Sequence, residues 1–257
     1  ERYPKSDDRA LVLSRAAKAQ LDNGELQDAA QTYELYSATF KDKDNAPSAL
    51  FEAGLLYERL GNVSEQRRIF EEFIDVYRSR SGEDWRILNA TLRLAKIAQA
   101  RNRKSKSRKL LQQVIAEFNR RGQQPGSRAA GVAAEASYTL LDPNYQRFTK
   151  IRLKGSAKRQ QGIIKKKLKD LLGLVKNYSS INTTYLSRTW MICSILRQGK
   201  LWKDMNTTLR EAPEPQGMSD ERMGLYLDAM DAQLAKFEDA AIRYYQKAVE
   251  KSREYKV

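Results

Sequence analysis

Three helix-closing residues, Gly24, Gly61 and Asn102, recur along the first half of the chain at spacings of 37 and 41 residues. No other feature constrains the fold as much. Gly and Asn are the residues that best tolerate the left-handed backbone conformation ending a helix. The register holds on both sides of each turn. After it, Tyr33, Phe70 and Leu111 are equivalent, as are Tyr36, Phe73 and Val114, and Phe40, Tyr77 and Phe118. Before it, Ala17, Gly54 and Ala95 align, and all are small. The stretch "SALFEAGLLYERLGNVSEQRRIFEEFIDVY", residues 48–77, therefore reads as two amphipathic helices joined at Leu60-Gly61-Asn62. A glycine within a helix costs roughly 1 kcal/mol relative to alanine, so Gly54 needs a reason. The spacing predicts one: two antiparallel helices cross most closely there, and a side chain would hold them apart.

Six prolines in 257 residues and a pervasive 3.6-residue period point to an all-α chain. Its length is enough for a large buried core, and no apolar run reaches the ~20 residues a membrane span needs. The polar start "ERYPKSDDRA", without Met, reads as a truncated or processed boundary, which leaves the compartment open. Histidine is absent, which removes Ser-His and Cys-His nucleophiles and most zinc sites. The chain has no phosphate-cradling glycine loop, and its carboxylates sit beside Lys and Arg in the manner of solvated helix faces. Cys193, alone in "WMICSIL", reads as a buried thiol. We therefore expect no enzyme, no cofactor and no metal.

Beyond residue 122 the pattern loosens. "SRAAGVAAEASYTLL" (127–141) reads as a helix of small residues, broken at Asp142-Pro143. "QQGIIKKKLKDLLGLVKNY" gives a long helix with Ile164, Leu168, Leu171, Leu172, Val175 and Tyr178 on one face. "NTTYLSRTWMICSILRQGKLWKDMNTTL" reads as a hairpin turning at Gly199, with Trp190 and Trp202 packed inside it. "EAPEPQGMS" is a linker, since Pro213 and Pro215 forbid continuing a helix. The expected organisation is three repeats over 1–122, an irregular basic middle over 123–180, and a hairpin plus a closing repeat over 181–257.

A small residue, a tight turn, then Ala and a large aromatic on the second helix resembles the tetratricopeptide repeat. The small site is Ala17, Gly54, Ala95 and Ala229; the second-helix alanine is Ala29 and Ala241; the aromatic is Tyr33, Phe70 and Tyr245, with Leu111 a softer match. In the last repeat Ala241, Tyr245 and Ala248 keep the family's spacing. Gln66 and Ser107 depart from the alanine site, and Tyr36, Phe73 and Val114 stand where a small residue is usual. The resemblance implies a right-handed α-solenoid of degenerate, elongated hairpins. The later segment order, "RFTKIRL", a Lys-rich helix, "LRQGKLW" and "APEPQGMSDERMGLYLDAM", is similar to a tetratricopeptide subgroup of myxobacteria and bdellovibrios. Some members of that subgroup belong to cell-envelope or gliding-motility machinery. It implies a periplasmic or envelope location in preference to the cytoplasm.

The net charge of +15 is concentrated between Arg101 and Lys176, where 20 Lys and Arg face four acids; the remainder is nearly neutral. Two clusters dominate: Arg101, Arg103, Lys104 and Lys106, then Lys158, Arg159, Lys165, Lys166, Lys167 and Lys169. Three readings stay open: a solvated face, a dock for an acidic protein or an anionic envelope surface, or a nucleic-acid site. Phosphate binding needs only the charge, whereas single-strand readers want exposed aromatics among it. Phe118, assigned to the core, is the sole aromatic within 101–120, and 155–177 has none. Nucleic acid is therefore the weaker alternative.

The resemblance also implies that the first helix of each hairpin lines a concave groove, with Ser14, Lys18 and Leu21, then Phe51, Leu55 and Glu58, then Leu92, Lys96 and Gln99 facing inward. The family's clamp for C-terminal carboxylates is not matched, because Ser14 and Phe51 occupy one clamp position and Lys18 and Leu55 the other. For Phe51 and Leu55, packing against the next repeat competes with peptide contact. The function expected is a non-catalytic scaffold for a protein or peptide partner, an acidic one among the options, with peripheral envelope association also open.

Overall fold

The computed structural model describes residues 7–214 and 219–256. Among them are ten helices and no strand: α1 (Asp7–Asp22), α2 (Leu26–Thr39), α3 (Ala46–Arg59), α4 (Val63–Tyr77), α5 (Asp84–Ala100), α6 (Lys104–Arg120), α7 (Arg128–Thr149), α8 (Ala157–Tyr185), α9 (Arg188–Arg210) and α10 (Asp220–Tyr255). Two compact units divide the chain, Glu1–Gln123 and Gln124–Val257. The stretches 123–180 and 181–257, expected as separate parts, belong to one unit, because α8 packs on α9 and α7 on both.

The first unit is a run of helical hairpins in which each helix packs on the next, α1 through α6. The repeat is visible in the backbone. Gly24, Gly61 and Asn102 hold φ of +80°, +70° and +55°, the left-handed conformation that closes a helix. The Asn62 side chain then caps α4 by accepting from the Glu65 amide at 3.3 Å. Ala17 and Ala95 are fully buried at the small site. At Gly54 a Cβ would lie 2.6 Å from the Phe70 ring, so α3 and α4 touch there only because the side chain is missing. Phe70 is itself sealed in, with Phe51 at 5.6 Å between ring centroids. Phe51 also meets Phe73 at 5.5 Å and Trp85 at 5.5 Å, joining α3, α4 and α5 into one core.

The second unit corrects several expectations. α7 continues through Pro143. A helix-interior proline forfeits a hydrogen bond and costs ~3 kcal/mol, but the turn beyond it is held by tertiary contacts. Arg197 of α9 pairs with Asp142 at 3.2 Å and stacks on Tyr145 at 4.1 Å, and Phe148 is buried. Gly199 is not a turn. α9 is continuous, and the chain reverses instead at Leu186, which takes φ +50°. At Gly199 a Cβ would lie 2.9 Å from the Tyr245 ring. Gly199 and Tyr245 thus stand to α9 and α10 as Gly54 and Phe70 stand to α3 and α4. The expected small site, Ala229, is exposed in mid-helix, since α10 is one continuous helix of 36 residues. Trp190 packs on Tyr138 at 5.1 Å and Trp202 on Phe237 at 5.7 Å, both as ring pairs between helices. In the linker "EAPEPQGMS", residues 215–218, Pro215 included, lie outside the described residues.

The apolar face of α8 is also rotated from expectation. Gln160, Lys167, Leu171, Leu174, Tyr178, Ile181 and Tyr185 are buried, whereas Leu172 is 52% exposed. A lysine lies in this stripe because its amine has partners. Lys167 Nζ donates to the Ile151 carbonyl at 3.1 Å and to Asp204 at 2.7 Å, also contacts Thr208, and lies 4.6 Å from the centre of the Phe148 ring. The α7–α8 connection is thereby tied to α9.

Burial raises the pKa of Tyr33, Tyr57, Tyr77, Tyr138, Tyr178, Tyr226 and Tyr245 above the ordinary phenol value. Below pH ~10 these phenols are protonated in both folded and unfolded chains, so they add no pH dependence. Above it the unfolded chain releases its protons first, and stability falls as pH climbs toward the folded values. We expect cooperative alkaline unfolding, with helical circular dichroism lost in step with phenolate absorbance. Phenol titration completed with the helices intact would contradict the burial described.

Candidate partner-binding surfaces

The residues expected to line a groove divide into two groups. Phe51 and Leu92 are core, each 2% exposed, and are unable to touch a partner. Leu55 is half-buried against the same core. Ser14, Lys18, Glu58, Lys96 and Gln99 face solvent on α1, α3 and α5, the first helix of each hairpin. The division follows from the tight crossings. Where a small residue draws two helices together, the neighbours toward the crossing are swallowed and only the far stripe stays wet. Sequence periodicity places each set on one face of its helix but does not fix how far the apolar arc of that helix extends. The stripe carries structure of its own, because Glu58 forms an ion pair with Arg93 of α5, and Arg93 Nε donates to Asn89 at 2.8 Å. Arg93 is absent from the residues the sequence points to, though its position one turn before Lys96 is signal enough.

The two basic clusters lie in different units and differ in character. Arg101, Arg103, Lys104 and Lys106 are all exposed at the α5–α6 turn and the start of α6. On α8, Lys158, Arg159, Lys165, Lys166 and Lys169 are exposed, whereas Lys167 is fully buried. Lys167 is removed from the basic patch for a physical reason: it falls four residues before Leu171 and seven after Gln160, on the buried stripe of α8. Desolvation pulls its pKa down, opposed by Asp204.

Cys193 is half-buried rather than buried, and burial raises its thiol pKa, the opposite of an activated nucleophile. Among the described residues no group of three or more His, Cys, Asp and Glu side chains comes together that could hold a metal ion. No described helix is long and apolar enough to cross a membrane.

No protein-family profile matches the sequence, and no curated protein matches it. Among solved structures the chain is similar to a putative kinesin light chain of Podosopora anserina with nearly identical TPR-like repeats. Two crystal structures of that protein, one of them a single-residue variant, align with TM-score 0.44 at 15% and 14% identity. In each case 92% of this chain and 98% of the other are covered.

Proposed function

We propose that this chain is a non-catalytic helical-repeat scaffold that holds a protein partner. The observation that carries the reading is the set of solvent-facing side chains presented on α1, α3 and α5, the first helix of each hairpin, over a core built around Phe51, Phe70, Phe73 and Trp85. Hairpin stacks present extended surfaces of this kind, and repeat proteins use them for recognition. The setting we favour is a bacterial cell-envelope or motility assembly, at its periphery. It is supported by the order of segments after residue 146 and by a net charge of +15, which suits an anionic surface.

The test is chemical cross-linking of the full chain in an extract of its source cells, with the cross-linked peptides sequenced. Partner peptides should join to residues of the α1, α3 and α5 stripe, and Lys18→Glu with Lys96→Glu should reduce their yield at least fivefold. Recovery of nucleic acid alone, or of no adduct on that stripe, would overturn the reading.

A further inference from the structure

A second surface lies on the opposite helices of the same unit, and it arises where the repeat fails to repeat. Between α2 and α4, the second helices of the first two hairpins, the gap is closed by side chains. Arg68 binds Glu34, Tyr57 donates to Glu34 at 2.6 Å, and the hydroxyls of Ser37 and Tyr77 share a hydrogen bond of 2.9 Å. The positions equivalent to Glu34 and Arg68 in the next pair are Glu71 and Lys109, and those equivalent to Ser37 and Tyr77 are Ile74 and Phe118. Among the described residues neither pair forms an ion pair or a side-chain hydrogen bond. Glu71 turns back to Arg67 of its own helix at 3.7 Å, and Ile74 has no hydroxyl to offer.

The result is an open groove between α4 and α6, with α5 as its floor. Its volume is about 290 Å³, and Ile74, Leu94 and Leu110 supply apolar surface within it. It continues past Leu94 and Lys106 to Ile97 and Ala98, where Arg67, Arg101 and Arg103 gather. From Arg67 to Arg78 along α4 the run is roughly 16 Å at 1.5 Å per residue. Cations gather along this groove. Arg68, Arg80, Arg86, Arg93, Arg120 and Arg121 each meet a carboxylate. Arg101, Arg103 and Lys106 line the groove exposed, and none of them has a carboxylate within ion-pair distance among the described residues. Glu71, engaged by Arg67, and Asp75 also line the groove, but Arg67, Arg78, Arg101, Arg103 and Lys106 outnumber them, so a net positive groove with an apolar floor is complementary to carboxylates next to aliphatic side chains.

We propose that the α4/α6 groove docks an acidic peptide segment of a partner protein, which seats one or two aliphatic side chains over Leu94 and Leu110 and sets its carboxylates against Arg101, Arg103 and Lys106. This surface is separate from the α1, α3 and α5 stripe and does not depend on it. Apolar anchors in such a slot supply affinity, and the cations supply orientation and encounter rate.

The experiment measures fluorescence anisotropy of a labelled peptide alternating Asp or Glu with Leu, with the full chain. A Lys/Leu peptide and a single-stranded oligonucleotide serve as rival probes. The acidic peptide should bind, and Arg101→Glu, Arg103→Glu and Lys106→Glu together should weaken it at least tenfold. Gln113→Trp, which fills the groove lip without changing charge, should weaken it several-fold. Reversing Lys165, Lys166 and Lys169 on α8, or Lys18 and Lys96 on the other face, should leave it within twofold. Melting curves check that each variant folds; should the triple variant not fold, Lys106→Glu alone and Gln113→Trp carry the test. Equal loss with the α8 reversals, or insensitivity to Gln113→Trp, would reduce the effect to unspecific charge attraction and overturn the proposal. Tighter binding of the oligonucleotide, lost in the same groove variants, would assign the groove to nucleic acid instead.

Discussion

Lys167→Ala should destabilise the second unit by about 3–5 kcal/mol, enough to unfold much of it at room temperature. The cost has identifiable parts. Asp204, with its side chain 19% exposed, loses the ammonium 2.7 Å away and keeps a carboxylate that water reaches only partly. The Ile151 carbonyl and the Thr208 hydroxyl lose a donor. The lysine stem also leaves a void on α8 against Phe148, where its amine sat over the ring. Lys167→Met keeps the volume and should cost less, and Lys167→Met with Asp204→Leu less again, since a buried ion pair can often be replaced by apolar side chains of similar size. Hydrogen exchange read by mass spectrometry resolves the two units. Protection should fall in α8 and α9 and persist in α3 to α5. If Lys167→Ala leaves the exchange of α8 and α9 unchanged, Lys167 is a surface lysine after all and the placement of the α8 stripe is wrong.

That lysine also marks where reading the sequence stopped being sufficient. In the first unit, local chemistry and tertiary packing agree. Gly24, Gly61 and Asn102 announce the turns, Gly54 announces the crossing, and each does in the fold what its residue type demands. In the second unit they conflict. Pro143 is a breaker overruled by Arg197 and Phe148, and Gly199 looks like a turn glycine but is a contact glycine. The two roles are indistinguishable from a single position, because a missing side chain serves both. What separates them is the partner aromatic. Phe70 follows Gly54 by 16 residues and is easily paired with it, whereas Tyr245 lies 46 residues beyond Gly199, across a proline-containing linker. The candidate surfaces were legible to the same degree. Exposed positions on α1, α3 and α5 follow from the repeat, but the burial of Phe51 and Leu92 depends on how closely the helices approach. The α4/α6 groove depends on bridges that are missing, and those emerge only when equivalent residues of successive hairpins are compared in space.

The paired glycines allow a comparison in which the new atom meets nearly the same obstacle in different surroundings. At both sites an added Cβ would fall closer than 3 Å to an aromatic ring, at 2.6 Å for Gly54 and 2.9 Å for Gly199. Alanine in place of glycine within a helix gains roughly 1 kcal/mol of intrinsic propensity, so the outcome turns on whether the ring can yield. Phe70 has no exposed surface and is hemmed in by Phe51, so its ring can move only if the core moves with it. Tyr245 is half-buried at the edge of α10 and can swing toward solvent. Gly54→Leu should therefore cost about 1–3 kcal/mol through overpacking, Gly54→Ala should still be destabilising, and Gly199→Ala should be close to neutral. The double variant Gly54→Ala with Phe70→Leu should recover part of what Gly54→Ala loses, the sign of direct coupling between the two positions. Guanidinium unfolding of the four variants measures this. Equal costs for the two alanine substitutions would show that ring mobility does not decide the matter, and an unchanged midpoint for Gly54→Leu would remove the close crossing of α3 and α4 on which the hairpin rests.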